Sequence, residues 1–241
     1  MSSAGTNGTD GTDLTTTLTT QGDIVYRDAS GLARLGAGTA GQVLQTGGSG
    51  ANPSWGTLSS DWVKVASDTL SGSTSSYSTD AFSSSYNTYK VYINDIKITS
   101  SNASAAGFRA RNSSGDITGN DYFATGFYSY TTSSGGDSGR QGQYNVNQLN
   151  MGGWAIPDGN TQSGYAVYNY EWTFSNMNSS SNYKGIMCRF GGWERSGNYV
   201  VDAQLLISVA SLNPLTGFTF NHLGGENFSN QGKILIYGLK E

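Results

Sequence analysis

The chain has 241 residues, of which 34 are glycine, 12% are charged and 12% are aromatic. So few charges with so many aromatic side chains argue against charge-driven disorder and for a packed core. Residues that favour long helices are scarce beside Gly, Ser, Thr, Asn and Tyr. We therefore predict an all-β protein.

The charge balance restricts the class of partner. The net charge is −4, from 13 basic and 17 acidic residues, and no stretch concentrates Lys or Arg, so we expect no nucleic-acid partner. No apolar run approaches the ~18 residues of a membrane span, so we expect no membrane insertion. Residues 1–20 lack the basic start and apolar centre of a signal peptide, which predicts synthesis in a cytoplasm.

Residues 1–20 are rich in Gly, Ser, Thr and Asp, and Leu14 and Leu18 are their anchoring apolar residues. This composition is typical of a flexible tail. We interpret the segment as an attachment arm that is held by a partner, with Leu14 and Leu18 as the contacting side chains.

Residues 21–60 carry very short apolar groups that are separated by Gly, Asp, Thr or Ser. None is long enough for a helix, and each predicts a strand of three or four residues. One chain cannot bury such strands, so we expect an oligomerising neck in which several copies intertwine around one axis. The residues expected at this contact are Ile24, Tyr26, Leu35, Val43, Leu44 and Trp55.

The same stretch carries a resemblance. It reads Thr-x-Gly-Asp, then Leu-x-Arg-Leu, then Gly-x-x-Gly-Gln-Val-Leu, and it closes on Trp. The matching positions are Thr20, Gly22, Asp23, Leu32, Arg34, Leu35, Gly38, Gly41, Gln42, Val43, Leu44 and Trp55. This pattern resembles the short repeat of tail-fibre and other virion appendage proteins of tailed bacteriophages, and it implies a place on the phage particle.

Residues 61–241 show alternating apolar patterning between turn-rich connections. The predicted strands are 61–66, 89–98, 107–111, 122–130, 165–174, 183–190, 199–209, 215–220 and 233–239. In the second of them the apolar phase shifts after Asn94-Asp95, which indicates a bulge. We predict an antiparallel β-sandwich, with a jelly roll as the preferred topology.

Two segments of this region extend the resemblance. They are residues 86–117, with the pattern YNTYKVYINDI, and residues 211–241, which close on GKILIYGLK. Both resemble a C-terminal β domain of phage particle proteins. Such domains are head or tail appendages and often trimeric, so the resemblance implies a homotrimer with a displayed C-terminal domain.

The sequence offers little for catalysis. His222 is the sole histidine, which excludes a zinc site with two histidines in one chain and leaves a nucleophilic triad poorly supported. Asp116, Asn120 and Asp121 could gather oxygens for calcium, but Asx-turns explain them better. Cys188 is expected to be a small core residue. We expect no enzyme, metal or cofactor, although a ring of His222 side chains around a threefold axis stays open.

Aromatic residues among Gly, Ser and Asn suit sugar rings, because the ring faces stack while hydroxyl groups find hydrogen bonds. The loops 131–164 and 191–198 are the expected exposed surface. The predicted glycan-binding residues are Tyr128, Tyr130, Trp154 and Trp193. The alternative is that these rings fill the core or a subunit interface.

The functional expectation is a structural virion protein: a homotrimeric tail fibre that binds host-surface glycan through its C-terminal domain. The alternative is a capsid decoration or head-fibre protein whose N-terminus binds the capsid lattice. A capsular polysaccharide depolymerase is a third class, against which the sparse carboxylates count.

Overall fold

The computed structural model describes residues 14–58, 60–97, 105–132, 134–151, 167–194 and 199–240. The chain divides into two compact units between Ser60 and Asp61. Apart from one helical turn, α1 (Leu14–Thr17), every element is a strand, so the all-β prediction is confirmed. Among the described residues no helix has the length and apolar character needed to span a bilayer.

In the described part of the first unit, α1 is followed by two short hairpins. Strand β1 (Ile24–Arg27) pairs with β2 (Leu32–Leu35), and β3 (Gln42–Gln45) pairs with β4 (Ser54–Thr57), both antiparallel. Each strand has four residues, as the short apolar groups predict.

Residues 14–58 of the first unit form no apolar core of their own. Within residues 14–58 no apolar side chain is buried, and Leu14, Leu32 and Leu44 are 46%, 49% and 50% exposed. An isolated two-stranded hairpin is marginally stable at best in water. The unit therefore depends on local polar contacts, or on surfaces beyond its own chain, for its stability.

The described residues of the second unit form thirteen strands in two large sheets. They are β5 (Trp62–Thr69), β6 (Ser76–Thr79), β7 (Tyr89–Ile96), β8 (Ala106–Asn112), β9 (Gly115–Asp116), β10 (Tyr122–Thr132), β11 (Gly135–Val146), β12 (Leu149–Asn150), β13 (Val167–Ser175), β14 (Lys184–Glu194), β15 (Tyr199–Val209), β16 (Gly217–His222) and β17 (Lys233–Leu239). The eight-stranded sheet has the order β11-β10-β15-β14-β13-β7-β17-β5, and the smaller sheet has the order β12-β8-β16-β6, with β9 beside β8.

The strand order is that of a jelly roll with two additions. Eight strands can be numbered one to eight in chain order: β5, β6, β7, β8, β12, β13, β16 and β17. In the larger sheet, strands one, eight, three and six then lie side by side, and in the smaller sheet strands two, seven, four and five do. This is the double Greek key that defines the jelly roll, so the preferred topology is confirmed. The strands β10-β11 and β14-β15 are insertions that extend the larger sheet beyond β13.

Aromatic rings fill the space between the two sheets. Phe108 of the smaller sheet lies 4.7 Å from Trp172 of the larger sheet, and Phe218 lies 5.7 Å from Phe174, measured between ring centroids. Tyr170 meets Phe220 edge-on at 5.1 Å. Such rings carry large apolar area and favour these stacked and edge-to-face contacts, so they supply much of the folding energy.

The predicted bulge in β7 is present. Asp95 has a φ of 57°, and the register between β7 and β13 shifts between Tyr168 and Tyr170. The amide oxygen of Asn169 accepts a hydrogen bond from the Asp95 backbone N–H at 3.1 Å, which secures the irregular residue.

Parts of both expected exposed loops are strands: residues 131–132 end β10 and residues 149–150 form β12. Residues 135–146 form strand β11, which pairs with β10 along its whole length, and residues 191–194 continue β14. Their Gly- and Ser-rich sequence has low strand propensity, but backbone pairing with a long neighbouring strand supplies the structure. Residues 152–166 and 195–198 of the predicted loops lie outside the described residues.

Candidate functional site

The first hairpin is held by the charged pair of the repeat motif. The Asp23 carboxylate accepts hydrogen bonds from the backbone N–H groups of Thr19 and Thr20, at 3.0 and 2.8 Å, and pairs with Arg34 at 2.7 Å. Burial raises the pKa of Asp23, but the hydrogen bonds from Thr20 and Arg34 outweigh it, so that the pKa is lowered. Arg34 also donates to the Thr20 hydroxyl at 3.2 Å. This carboxylate therefore ties the chain ahead of β1 to β2.

Trp55 ties the second hairpin to the chain that precedes it. Its indole N–H donates to the Gly36 carbonyl at 2.6 Å, which joins β4 to the segment after β2. A Cβ at Gly38 would lie 2.7 Å from the Trp55 ring, so only glycine lets the chain pass so closely. The Gln42 side chain accepts from the Thr39 backbone N–H at 2.7 Å. The polar and glycine positions of the motif thus have local structural roles.

The apolar motif positions have no comparable role within one chain. Ile24 lies opposite Leu35 and Leu44 lies opposite Trp55 across their hairpins. Ile24, Leu35 and Trp55 are half-buried, as are Tyr26, Val43 and Leu18. The side chains predicted for the oligomer contact therefore retain exposed surface, and Leu14 and Leu44 are the most exposed of them.

Of the four predicted glycan-binding residues, the structure describes the side chains of Tyr128 and Tyr130. Tyr128 and Tyr130 stack with ring centroids 6.3 Å apart, but they are half-buried and pack against the core cluster of the second unit. Trp193 lies on β14, in register with Val167, and its side chain is outside the description, as is the whole of Trp154.

A different set of aromatic residues lines the outward face of the larger sheet. Trp62, Lys90, Tyr92 and Tyr237 surround a hollow of about 320 Å³, which we call the aromatic hollow. The rings of Tyr92 and Tyr237 meet edge-on at 6.1 Å, and the Lys90 ammonium lies 5.4 Å from the Trp62 ring centroid. These contacts fix the rings, while all four side chains remain partly exposed. Sequence reasoning missed the hollow because its strands are distant in the chain.

Charged side chains continue the same face toward β15. Glu171, Arg189 and Asp202 line two adjoining hollows of about 500 and 560 Å³, which we call the charged hollows. Arg189 binds Asp202 through two hydrogen bonds of 3.1 Å, and Lys90 lies 3.5 Å from Glu171. The hydrogen bonds with Asp202 raise the pKa of Arg189. Every charge of the hollows thus has an opposite partner.

The far end of this face is apolar. Phe127, Met187 and Leu206 are 57%, 44% and 55% exposed, and Met187 lies opposite Leu206 across β14 and β15. Beyond them Tyr144 of β11 is 80% exposed and meets Phe123 edge-on at 5.1 Å.

The other potentially reactive side chains are buried or ion-paired within the fold. Cys188 is fully buried, as predicted, and burial raises the pKa of its thiol. His222 is also buried: its Nδ1 accepts from the Glu226 backbone N–H at 3.0 Å, and burial lowers its pKa. Asp116 pairs with Arg111 at 2.8 Å. Within the described residues no three His, Cys, Asp or Glu side chains are grouped as a metal site.

No family model, curated protein or solved structure matches the chain, so no relative indicates the function of these surfaces.

Proposed function

We propose that this protein is a homotrimeric structural component of a tailed-bacteriophage particle. Within the first unit, residues 1–20 are the attachment arm and residues 21–60 are the oligomerising neck, and the jelly roll is the displayed part. Of the two virion roles we favour a tail fibre that contacts host-surface glycan.

The observation that carries this proposal is the construction of the first unit. The polar residues of the phage-like motif hold two hairpins together, yet no apolar side chain within residues 14–58 is buried. Copies of the chain around a common axis would cover Leu32, Leu44 and their neighbours and would close the hairpin edges.

The surface carboxylates of the jelly roll favour a displayed binding domain over a catalytic one. Two carboxylates that line the hollows of the larger sheet, Glu171 and Asp202, are exposed and each has a cationic partner. A glycoside hydrolase needs one carboxyl group whose environment keeps it protonated and a second that acts as nucleophile or base. The paired surface carboxylates are better suited to binding, so the depolymerase remains the weakest of the three proposals.

Tail fibre and capsid decoration protein differ in what the N-terminal arm binds. Antibody labelling of the protein on intact particles, viewed by electron microscopy, separates them. A tail fibre places the label at the tail, and purified protein then blocks adsorption to host cells. Label over the head, unchanged adsorption and altered capsid stability would instead establish the decoration role. Particles that carry no label at all would refute both.

A further inference from the structure

We propose that the aromatic hollow and the charged hollows together form one binding groove for a neutral oligosaccharide, laid across the strands of the larger sheet. This inference rests on the proposed function in taking the jelly roll to be the part that meets the host surface. It replaces the four sequence-predicted residues with a different set.

The aromatic hollow supplies the stacking surface. Trp62, Tyr92 and Tyr237 are partly exposed, and their contacts with one another and with Lys90 hold the rings in place without a ligand. Preformed aromatic faces cost little ordering on binding. Their combination of an apolar ring and a polar tip fits the C–H faces and hydroxyl groups of a sugar.

The charged hollows supply hydrogen bonds. Glu171, Arg189 and Asp202 project from adjacent strands, with Asn169 and Asn94 beside them, and together they offer both donors and acceptors. The Arg189 and Asp202 side chains are 68% and 59% exposed. Ion pairs this exposed contribute little to the stability of a fold, so a ligand's hydroxyl groups can share these atoms at little cost.

The charge pattern selects a neutral ligand. Lys90 pairs with Glu171 and Arg189 pairs with Asp202, so the groove carries two positive and two negative charges in matched pairs. An acidic sugar would need a cation without a carboxylate partner, and the whole chain is already at −4. Neutral hexoses and N-acetylhexosamines need no unpaired cation and are not repelled by the negative net charge.

The dimensions favour a chain of several sugars over a single one. The hollows share Lys90, Tyr92, Glu171, Arg189 and Asp202 among them, so they are continuous. They run from β5 to β15, which is five strand intervals or roughly 24 Å. Phe127 and Met187 line the far end of the charged hollows, where they offer apolar contacts to the C–H faces of a sugar.

The test is binding of the full-length protein to an array of neutral hexose and N-acetylhexosamine oligomers and of oligomers that carry uronic or sialic acid. We expect neutral oligomers to bind. Trp62→Ala and Tyr92→Ala should each weaken that binding by about tenfold or more. Trp62→Phe should keep most of it. Tyr144→Ala is the matched control, an exposed aromatic on the same face outside the groove, and should leave it unchanged.

Several results would overturn the proposal: binding of acidic oligomers alone, no binding of neutral ones, or equal affinities for all variants. A fall in particle mass of Tyr92→Ala by light scattering would also do so, since the groove would then be a subunit interface. Should Trp62→Ala fail to fold, Glu171→Gln carries the same test, because this side chain is 48% exposed. The virion role is judged by location on the particle, so either proposal can fail without the other.

Discussion

The two units of this chain make β structure in opposite ways. In the jelly roll, side chains such as Phe108, Trp172 and Phe218 are buried and stack on one another across two sheets. In the first unit no apolar side chain of residues 14–58 is buried, and the hairpins are held by Asp23 and Trp55 through hydrogen bonds. One unit carries its core within the chain, and the other presents apolar surface to be covered.

This difference has a thermodynamic consequence. A unit with its own core unfolds with a stability that does not depend on protein concentration. A unit whose apolar surface is covered by other copies gains stability as concentration rises, because association draws the equilibrium toward the folded form. Substitutions should therefore sort into two classes according to the unit in which they lie.

The largest expected effect is in the jelly-roll core. Phe108→Ala removes a ring that contacts Trp172, Phe174 and Phe218, and should lower the free energy of unfolding by about 3–5 kcal/mol. Denaturant titration at two protein concentrations measures it and should give the same loss at both. As a control, Tyr144→Ala should stay within ~0.5 kcal/mol of the wild type.

Trp55→Ala should act on assembly and not on the jelly roll. It removes the hydrogen bond to the Gly36 carbonyl and the ring that lies over Gly38, so the two hairpins lose their link. We expect the concentration for half-assembly to rise by about tenfold or more, with the jelly-roll melting temperature unchanged. Trp55→Phe keeps a ring but loses the N–H, so its concentration for half-assembly should lie between those of the wild type and Trp55→Ala. An unaltered assembly curve for Trp55→Ala would contradict the role given to this residue.

Asp23→Asn should weaken assembly less. The amide oxygen can still accept from a backbone N–H, but the charge opposite Arg34 is lost. Because the pKa of Asp23 is lowered in the folded chain, its contribution is present above the unfolded pKa near 3.9 and disappears as pH falls through the lower folded value. Sedimentation from about pH 6 to pH 2 should show this acid-induced loss in the wild type and a flatter profile in the variant.

The smallest expected effect comes from His222. Burial lowers its pKa, so the unfolded chain binds a proton at a higher pH than the folded one. Jelly-roll stability should therefore fall as pH drops below the unfolded value near 6.5 and level off below the folded value. His222→Asn, whose side-chain oxygen can replace Nδ1 as acceptor from Glu226, should lose this dependence. Melting temperatures between about pH 7 and pH 5 measure it, and an equal slope in the variant would contradict it.

Much of the fold could be read from the sequence because its strands are strongly patterned. Tyr89, Val91 and Ile93 mark one face of β7, and the phase shift at Asn94-Asp95 marks its bulge. Strands β6 and β11 lack such a pattern, since Ser and Gly dominate them. Their structure comes from pairing with β16 and β10, and pairing partners are not encoded locally.

The groove could not be predicted for the same reason. Trp62, Tyr92 and Tyr237 are far apart in the chain, and they meet because the last strand, β17, is inserted between β5 and β7. In β10 both faces carry aromatic residues: Tyr128 and Tyr130 point to the core, while Phe127 points outward. Alternation alone therefore cannot show which of these rings is available to a ligand.

We propose that the first unit assembles through apolar side chains that one chain leaves uncovered. Light scattering of the full-length protein at micromolar concentration, beside the double variant Leu32→Asp with Leu44→Asp, tests it most directly. Both leucines are about half exposed in the single chain, so the substitutions cost little except at a subunit contact. We expect three chain masses for the wild type and one for the variant. A monomeric wild type, or a variant that stays trimeric, would contradict it.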